Sequence, residues 1–179
     1  MFVRENKLIR RILLEILDCS KVIFFALAAS MIIKNTVVAS AMVPTGSMEE
    51  TIMTGSRIVI NRLAYVAEAP QRGDIVSFYY PDDGETLYLK RVMGLPGEII
   101  EGIDGYVYID GEKLANDYTS ETLDNDFGPF MIPEGCYFMM GDNRNNSWDS
   151  RYWQNHFVEQ SEIIGKAEFE YYPEIKVLK

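Results

Sequence analysis

Three stretches of the chain hold side chains whose types and spacing could do chemistry. VPTGSMEETI (Val43–Ile52) sets Ser47 behind a proline, a threonine and a glycine. YLKRVMGLPGE (Tyr88–Glu98) sets Lys90 among apolar neighbours, and GDNRNNSWDSRYW (Gly141–Trp153) crowds amides, hydroxyls and charges into thirteen residues. A serine becomes a nucleophile when a nearby base takes its proton. The chain has one histidine, His156. If Lys90 points inward, desolvation disfavours its ammonium and lowers its pKa, so that a neutral amine near neutral pH could accept the Ser47 proton. On the residues alone Lys90 also reads as a surface charge on an apolar stem. The Gly141–Trp153 block likewise reads as a solvated loop of Asx turns.

Positioning such groups falls to the segments around them. Past residue 35 the sequence turns to short β-branched and aromatic runs with period-2 alternation: TVVASAMV, RIVINRLAYV, DIVSFYY, TLYLKRVMG, YVYIDG, CYFMMG and IIGKAEFEYY. YVYIDGEKL predicts a hairpin at Asp110-Gly111, and PDDGE at 81–85 predicts a turn. ANDYTSETLDNDFGPFMIP, residues 115–133, reads as an acidic surface excursion. Arg72-Gly73-Asp74, a tripeptide of some adhesion ligands, reads as a tight turn entering DIVSFYY. The expected fold is mainly β: a single N-terminal transmembrane helix followed by a compact all-β domain.

The bulk numbers set bounds. With 17 basic and 27 acidic residues the net charge is −10, which argues against a nucleic-acid partner. Two cysteines, Cys19 and Cys136, build no disulfide framework, and with one histidine they do not make a zinc ligand set, so neither metal nor organic cofactor is expected. Residues 1–34 carry six basic and three acidic side chains, against an acidic remainder. Basic residues ahead of an apolar run orient a helix with its N-terminus in the cytosol. The uninterrupted run Val22–Ile33 is 12 residues long; extended back to Ile12 it becomes 22 residues, about 33 Å at ~1.5 Å per residue, enough to cross a bilayer. The extension takes in Glu15, Asp18 and Lys21, of which Asp18 and Lys21 can pair near the cytosolic end. The reading is one retained anchor at 1–34 and an extracytoplasmic domain at 35–179.

PTGSM, KRVMGLPGE and GDNRNNSWDSR, in that order behind one N-terminal span, resemble the three motif blocks of bacterial type I signal peptidases. With the closing IIGKA the similarity extends over most of the chain. It implies that the β domain is a compact catalytic domain with a small inserted cap, 98–140 being the family's non-catalytic insertion. The resemblance implies a membrane-bound serine endopeptidase of the cytoplasmic membrane that removes signal peptides from exported pre-proteins, cutting after small residues. It makes Ser47 the nucleophile, Lys90 the general base and Ser147 the hydroxyl that hydrogen-bonds and orients the lysine. Asp149 and Arg151 become a supporting ion pair behind the site, and Thr45 a hydroxyl donor to the oxyanion beside the Ser47 N–H. His156 matches no catalytic role, and QNHFVEQSE after Trp153 departs from the family pattern of a glycine and a short link, leaving the course of 154–162 unassigned.

An extended signal-peptide end suits strand addition, with alternate side chains entering pockets. By resemblance the strands around 41–44 and 88–90 flank it, and Val43, Met48, Ile52, Tyr88 and Leu89 form the pocket walls. Trp148, Tyr152 and Trp153 are available for the membrane interface or for the core. Two other readings are a specialised relative that matures one secreted protein, and an anchored binding protein that would tolerate loss of Ser47 and Lys90.

Overall fold

Phe2–Thr36 form one long helix, α1, in a computed structural model that describes residues 2–115 and 118–179, with side chains described for all of these except residues 2–12, 32 and 35. The chain divides into two compact units, Met1–Val37 and Val38–Lys179. Within α1, Lys21 pairs with Asp18 at 2.9 Å, as their i, i+3 spacing predicts. Among the described residues no helix is long and apolar enough to cross a membrane.

Among the described residues the second unit is built from twelve strands in two antiparallel sheets. In chain order they are β1 (Val38–Met42), β2 (Arg57–Asn61), β3 (Ile75–Tyr79), β4 (Leu87–Gly94), β5 (Ile99–Ile103), β6 (Tyr106–Ile109), β7 (Glu112–Lys113), β8 (Phe127–Met131), β9 (Cys136–Met140), β10 (Val158–Glu159), β11 (Ile163–Tyr172) and β12 (Lys176–Val177). The larger sheet runs β1-β2-β11-β3-β4-β9-β10, with β12 beside β11. The smaller runs β7-β6-β5-β8.

Local chemistry explains most boundaries. β2 ends at Asn61 because the Asn61 side chain accepts the Leu63 N–H at 2.9 Å, an Asx turn that competes with the ladder. The Asp110-Gly111 hairpin forms as expected: Ile109 faces Glu112, and both turn residues take positive φ, 50° and 80°, which suits the right-handed strand twist. Asp104-Gly105 repeats this between β5 and β6. The range 98–140 is less uniform than its reading as an insertion. Residues 99–131 carry the smaller sheet, including β8 inside the stretch expected to be a surface excursion, whereas β9 pairs with β4 in the larger sheet.

Three apolar clusters fill the domain. Met48, Ile52, Ile58 and Ile75 form one beneath the Ser47 turn. Val76, Phe78, Val92 and Trp153 form another under β3 and β4. Phe138 and Met140 of β9 join Ile100 and Val107 of the smaller sheet in the third, which fixes that sheet to the larger one.

Candidate active site

Position Lys90 marks a change of surroundings along β4. Arg91 pairs with β3 on one side and with β9 on the other, and Val92 and Gly94 pair with β9, while Leu87–Lys90 pair with β3 alone among the described residues. β9 ends at Met140, and the chain then turns away through Gly141–Trp153. The space beside Lys90 that a continued β9 would fill is taken instead by that segment and by the Ser47 turn. The Lys90 side chain is 4% exposed. Burial lowers its pKa from the usual 10.5 to about 8, with the Asp149 charge opposing the shift and Arg151 adding to it. The nearest ring, Tyr88, lies 5.7 Å from Nζ. A lysine so placed holds a large neutral-amine fraction a little above neutral pH.

Ser47 sits in a short 3₁₀ turn, Gly46–Met48, that follows β1 and packs on β4. Thr45 precedes it in extended conformation, with Oγ1 3.5 Å from Ser47 Oγ. Two bonds from Asn143 clamp this turn: its N–H donates to the Ser47 carbonyl at 3.2 Å and its Nδ2 to the Gly46 carbonyl at 2.9 Å. Gly141 lies just before the clamp. A Cβ there would come within 2.3 Å of both Ser147 Oγ and the Ser47 carbonyl, so only glycine lets the two segments approach so closely.

Behind the cavity, buried Arg151 grips buried Asp149 through Nε and Nη2, each at 2.8 Å. The same carboxylate accepts the Gly141 N–H at 3.0 Å, which ties the start of the segment to its end. The pair expected at 149 and 151 is therefore formed. Ser147 lines the cavity, but its Oγ is buried with no hydrogen-bond partner among the described residues, so the bond expected from it to Lys90 is not made here. A buried hydroxyl with unused capacity can take up such a bond when a ligand tightens the site.

One cavity of about 940 Å³ holds these groups together. Its floor and walls come from residues 39–48 of β1 and the Ser47 turn, from residues 86–90 at the start of β4, and from 145–148 and Tyr152. Val43, Met48, Tyr88 and Leu89 line it. Ile52 does not: it is fully buried in the cluster beneath Met48, because the chain turns inward after the 3₁₀ turn and carries Ile52 into the core. Trp153 is also core, while Trp148 and Tyr152 stack at the rim with centroids 5.6 Å apart and remain about half exposed.

The groove has two open strand edges. β1 has β2 as its one ladder partner, and the 87–90 edge of β4 is free of β9, among the described residues. Each of the four steps from β1 through β2, β11 and β3 to β4 is antiparallel, so β1 and β4 run in the same direction. Ser47 and Lys90 follow at the C-terminal ends of these two edges.

Other features find structural uses. Arg72 pairs with Glu98 at 2.5 Å, and Asp74 accepts from Tyr65, the Gln71 N–H and Lys166, so the Arg-Gly-Asp tripeptide is consumed in the turn before β3. His156 Nδ1–H donates to the Ser150 carbonyl at 2.6 Å and the ring packs on Phe130, as a packing histidine does. Asp82 of the PDDGE turn accepts the Gln154 and Asn155 N–H groups at 2.9 and 2.8 Å, which fixes the start of the 154–162 segment before β10.

Sequence reasoning passed over Arg91, Asp142, Asn143 and Gly141. A signal for the first two exists. Adjacent cations in one strand must face opposite sides, so a strand that buries Lys90 on one face sets Arg91 on the other, where a buried guanidinium needs a carboxylate. Asp142 supplies it, accepting Arg91 Nε at 2.8 Å and Nη2 at 2.6 Å, as well as Thr51 Oγ1 at 2.5 Å.

Comparison with known proteins shows the family. A family model described as "Signal peptidase, peptidase S26" matches residues 16–172. A probable signal peptidase I-1 of Synechocystis sp. is 36% identical over 155 residues, covering 83% of this chain and 78% of that protein. Signal peptidase I T of Bacillus subtilis is 35% identical over 171 residues, covering 88% and 86% respectively. A crystal structure of a signal peptidase I from Enterococcus faecalis is 37% identical, covers 55% of this chain and 97% of its own, and superposes with a TM-score of 0.48. The chain belongs to the signal peptidase, peptidase S26, family.

Proposed function

We propose that Ser47 and Lys90 are the nucleophile and general base with which this serine endopeptidase removes N-terminal signal peptides from pre-proteins. The observation that carries the proposal is a buried lysine without an ion-pair partner among the described residues, in one cavity with a buried serine. Neutral Lys90 takes the Ser47 hydroxyl proton as Oγ attacks the carbonyl carbon of the residue before the cut. Charge on the tetrahedral oxygen is met by the Ser47 N–H and the Thr45 hydroxyl, and the Lys90 ammonium returns its proton to the departing amine of the mature chain. Water then attacks the acyl carbon while giving a proton to Lys90, and the bond from that carbon to Ser47 Oγ breaks as Lys90 returns the proton to Oγ, which frees the acid and restores the enzyme. Ser147, with Oγ unpartnered beside the cavity, orients the Lys90 amine in the occupied site.

The two open edges favour an extended substrate running parallel to β1 and β4, with its C-terminal end at Ser47. That is the polarity needed for a cut at the end of a signal peptide. Val43, Met48, Tyr88 and Leu89 then bound shallow apolar pockets for small side chains. The helix serves as the anchor: Leu13, Ile16, Val22, Phe24, Phe25 and Leu27 are each more than half exposed, and 12–33 reaches about 33 Å at ~1.5 Å per residue. Glu15, Asp18 and Lys21 lie at its cytosolic end, and the catalytic domain lies on the extracytoplasmic side, where enzyme and pre-protein share one membrane surface. The test is cleavage of a pre-protein whose signal ends in Ala-x-Ala, by wild type, Ser47→Ala and Lys90→Ala in lipid. Wild type is expected to cut after the final alanine and both folded variants to be inert. Cleavage by Ser47→Ala would refute the proposal.

A further inference from the structure

The segment Tyr118–Asp124 leads from the smaller sheet's β7 toward β8, yet its polar contacts go to the active-site side of the larger sheet. Its Leu123 is buried in the cluster shared by the two sheets, which gives the segment a fixed base. From that base it reaches three points: the chain just past the Ser47 turn, the face of β4 opposite Lys90, and the Arg144–Asn146 turn. Ser120 Oγ donates to the Glu50 carboxylate at 3.1 Å, three residues past Ser47. The Tyr118 ring lies under the Arg91 guanidinium at 4.6 Å, and Arg91 holds Asp142. The third point takes the most bonds. Asn145 Nδ2 donates to Glu121 Oε1 at 3.2 Å and to the Thr122 carbonyl at 2.8 Å, Asn145 Oδ1 accepts the Asp124 N–H at 3.0 Å, and the Asn145 N–H donates to Glu121 Oε2 at 3.3 Å.

Asn145 occupies a distinctive place. It lines the cavity, stands two residues before Ser147, and belongs to the same 3₁₀ turn, Arg144–Asn146, that follows the Asn143 clamp on the Ser47 turn. Its side chain faces the strap while its backbone carries the segment that must hold Ser147 and Ser47 in register. Displacing a reacting group by about 1 Å can cost on the order of a hundredfold in rate. The side chains that tether this turn from outside the catalytic segment therefore bear on rate even though they touch no reacting atom.

We infer that Asn145 is a positioning residue for the cleavage reaction, and that Tyr118–Asp124 is a strap through which the smaller sheet holds the Ser147 segment against the Ser47 turn. The inference rests on the Ser47–Lys90 reading above. It is tested by steady-state cleavage of the Ala-x-Ala pre-protein with the full chain in lipid, comparing wild type, Asn145→Ala, Glu121→Ala and the double variant, with Tm measured for each. Asn145→Ala and Glu121→Ala both remove the bond from Asn145 Nδ2 to Glu121; Asn145→Ala also removes the bonds to Thr122 and Asp124, and Glu121→Ala the one from the Asn145 N–H. Each is expected to lower kcat by on the order of tenfold with KM within about twofold, and the double variant to lose clearly less than the product of the two single losses. Full kcat in both single variants, losses that multiply in the double variant, or a loss confined to KM would overturn the strap. An inert wild type would instead refute the cleavage reading itself, so the two failures are distinguishable.

Discussion

Lys90 and Arg91 are consecutive, both buried, and opposite in every other respect. Arg91 faces Asp142 and is held by two short bonds, so its charge is matched. Lys90 faces the cavity without an ion-pair partner among the described residues, and burial lowers its pKa to about 8. On the mechanism proposed above, one strand makes both a scaffold and a reagent. A buried cation given a carboxylate stays charged and ties elements together, whereas one denied a partner gives up its proton and becomes a base.

The comparison can be broken most severely at Lys90. On the proposed mechanism Lys90→Met removes the base and is expected to lower kcat/KM about a thousandfold or more. Lys90→Arg is expected to be equally inert, since a guanidinium does not deprotonate in this range. The same Lys90→Met change relieves the cost of holding an ammonium in the interior. That cost is present in full below pH 8 and fades between 8 and 10.5; at about 1.4 kcal/mol per pKa unit it comes to ~3 kcal/mol. Thermal unfolding at pH 7 should show the inactive variant to be more stable than wild type, and a lower Tm would count against the burial argument.

Breaking the Arg91 side has the opposite sign. Asp142→Asn leaves a buried guanidinium with its charge unmatched, and is expected to destabilise the domain by about 3–5 kcal/mol in urea unfolding. Thus removing the cation on one face stabilises, and removing the counter-ion on the other destabilises. A smaller effect comes from Gly141→Ala, whose new methyl meets Ser147 Oγ and the Ser47 carbonyl. It is expected to cost about 1–3 kcal/mol of stability and to lower kcat, because the two segments that frame Lys90 are pushed apart. Thr45→Ala should leave Tm unchanged and lower kcat by on the order of a hundredfold, the usual loss of one oxyanion donor.

Much of this was legible in the sequence, and the gaps have physical reasons. β3, β4, β6, β9 and β11 carry clear alternation or β-branched runs and sit where their residues predict. β5 and β8 are harder to read because IIEGI and FGPFM are broken by glycine or proline, which weaken the strand pattern without preventing pairing. The motif residues Thr45, Ser47, Lys90 and Ser147 share one cavity, with Asp149 and Arg151 behind it, but Ile52 falls in the core because spacing alone does not say which way a chain leaves a 3₁₀ turn. Asn143 and Gly141 act through a backbone carbonyl and through missing volume, and neither leaves a trace in composition. The groove between two strand edges depends on where β9 stops pairing, a property of the sheet rather than of any one segment.

The most direct test of the account is the pH dependence of kcat/KM for cleavage of an Ala-x-Ala pre-protein between pH 6 and 10. With Lys90 as the base, the rate should rise about tenfold per pH unit on the acid side, bend near 8 where the amine becomes neutral, and level off above it. A flat profile, or a rise that continues to the ordinary lysine range above 10, would contradict the claim that a desolvated Lys90 takes the Ser47 proton.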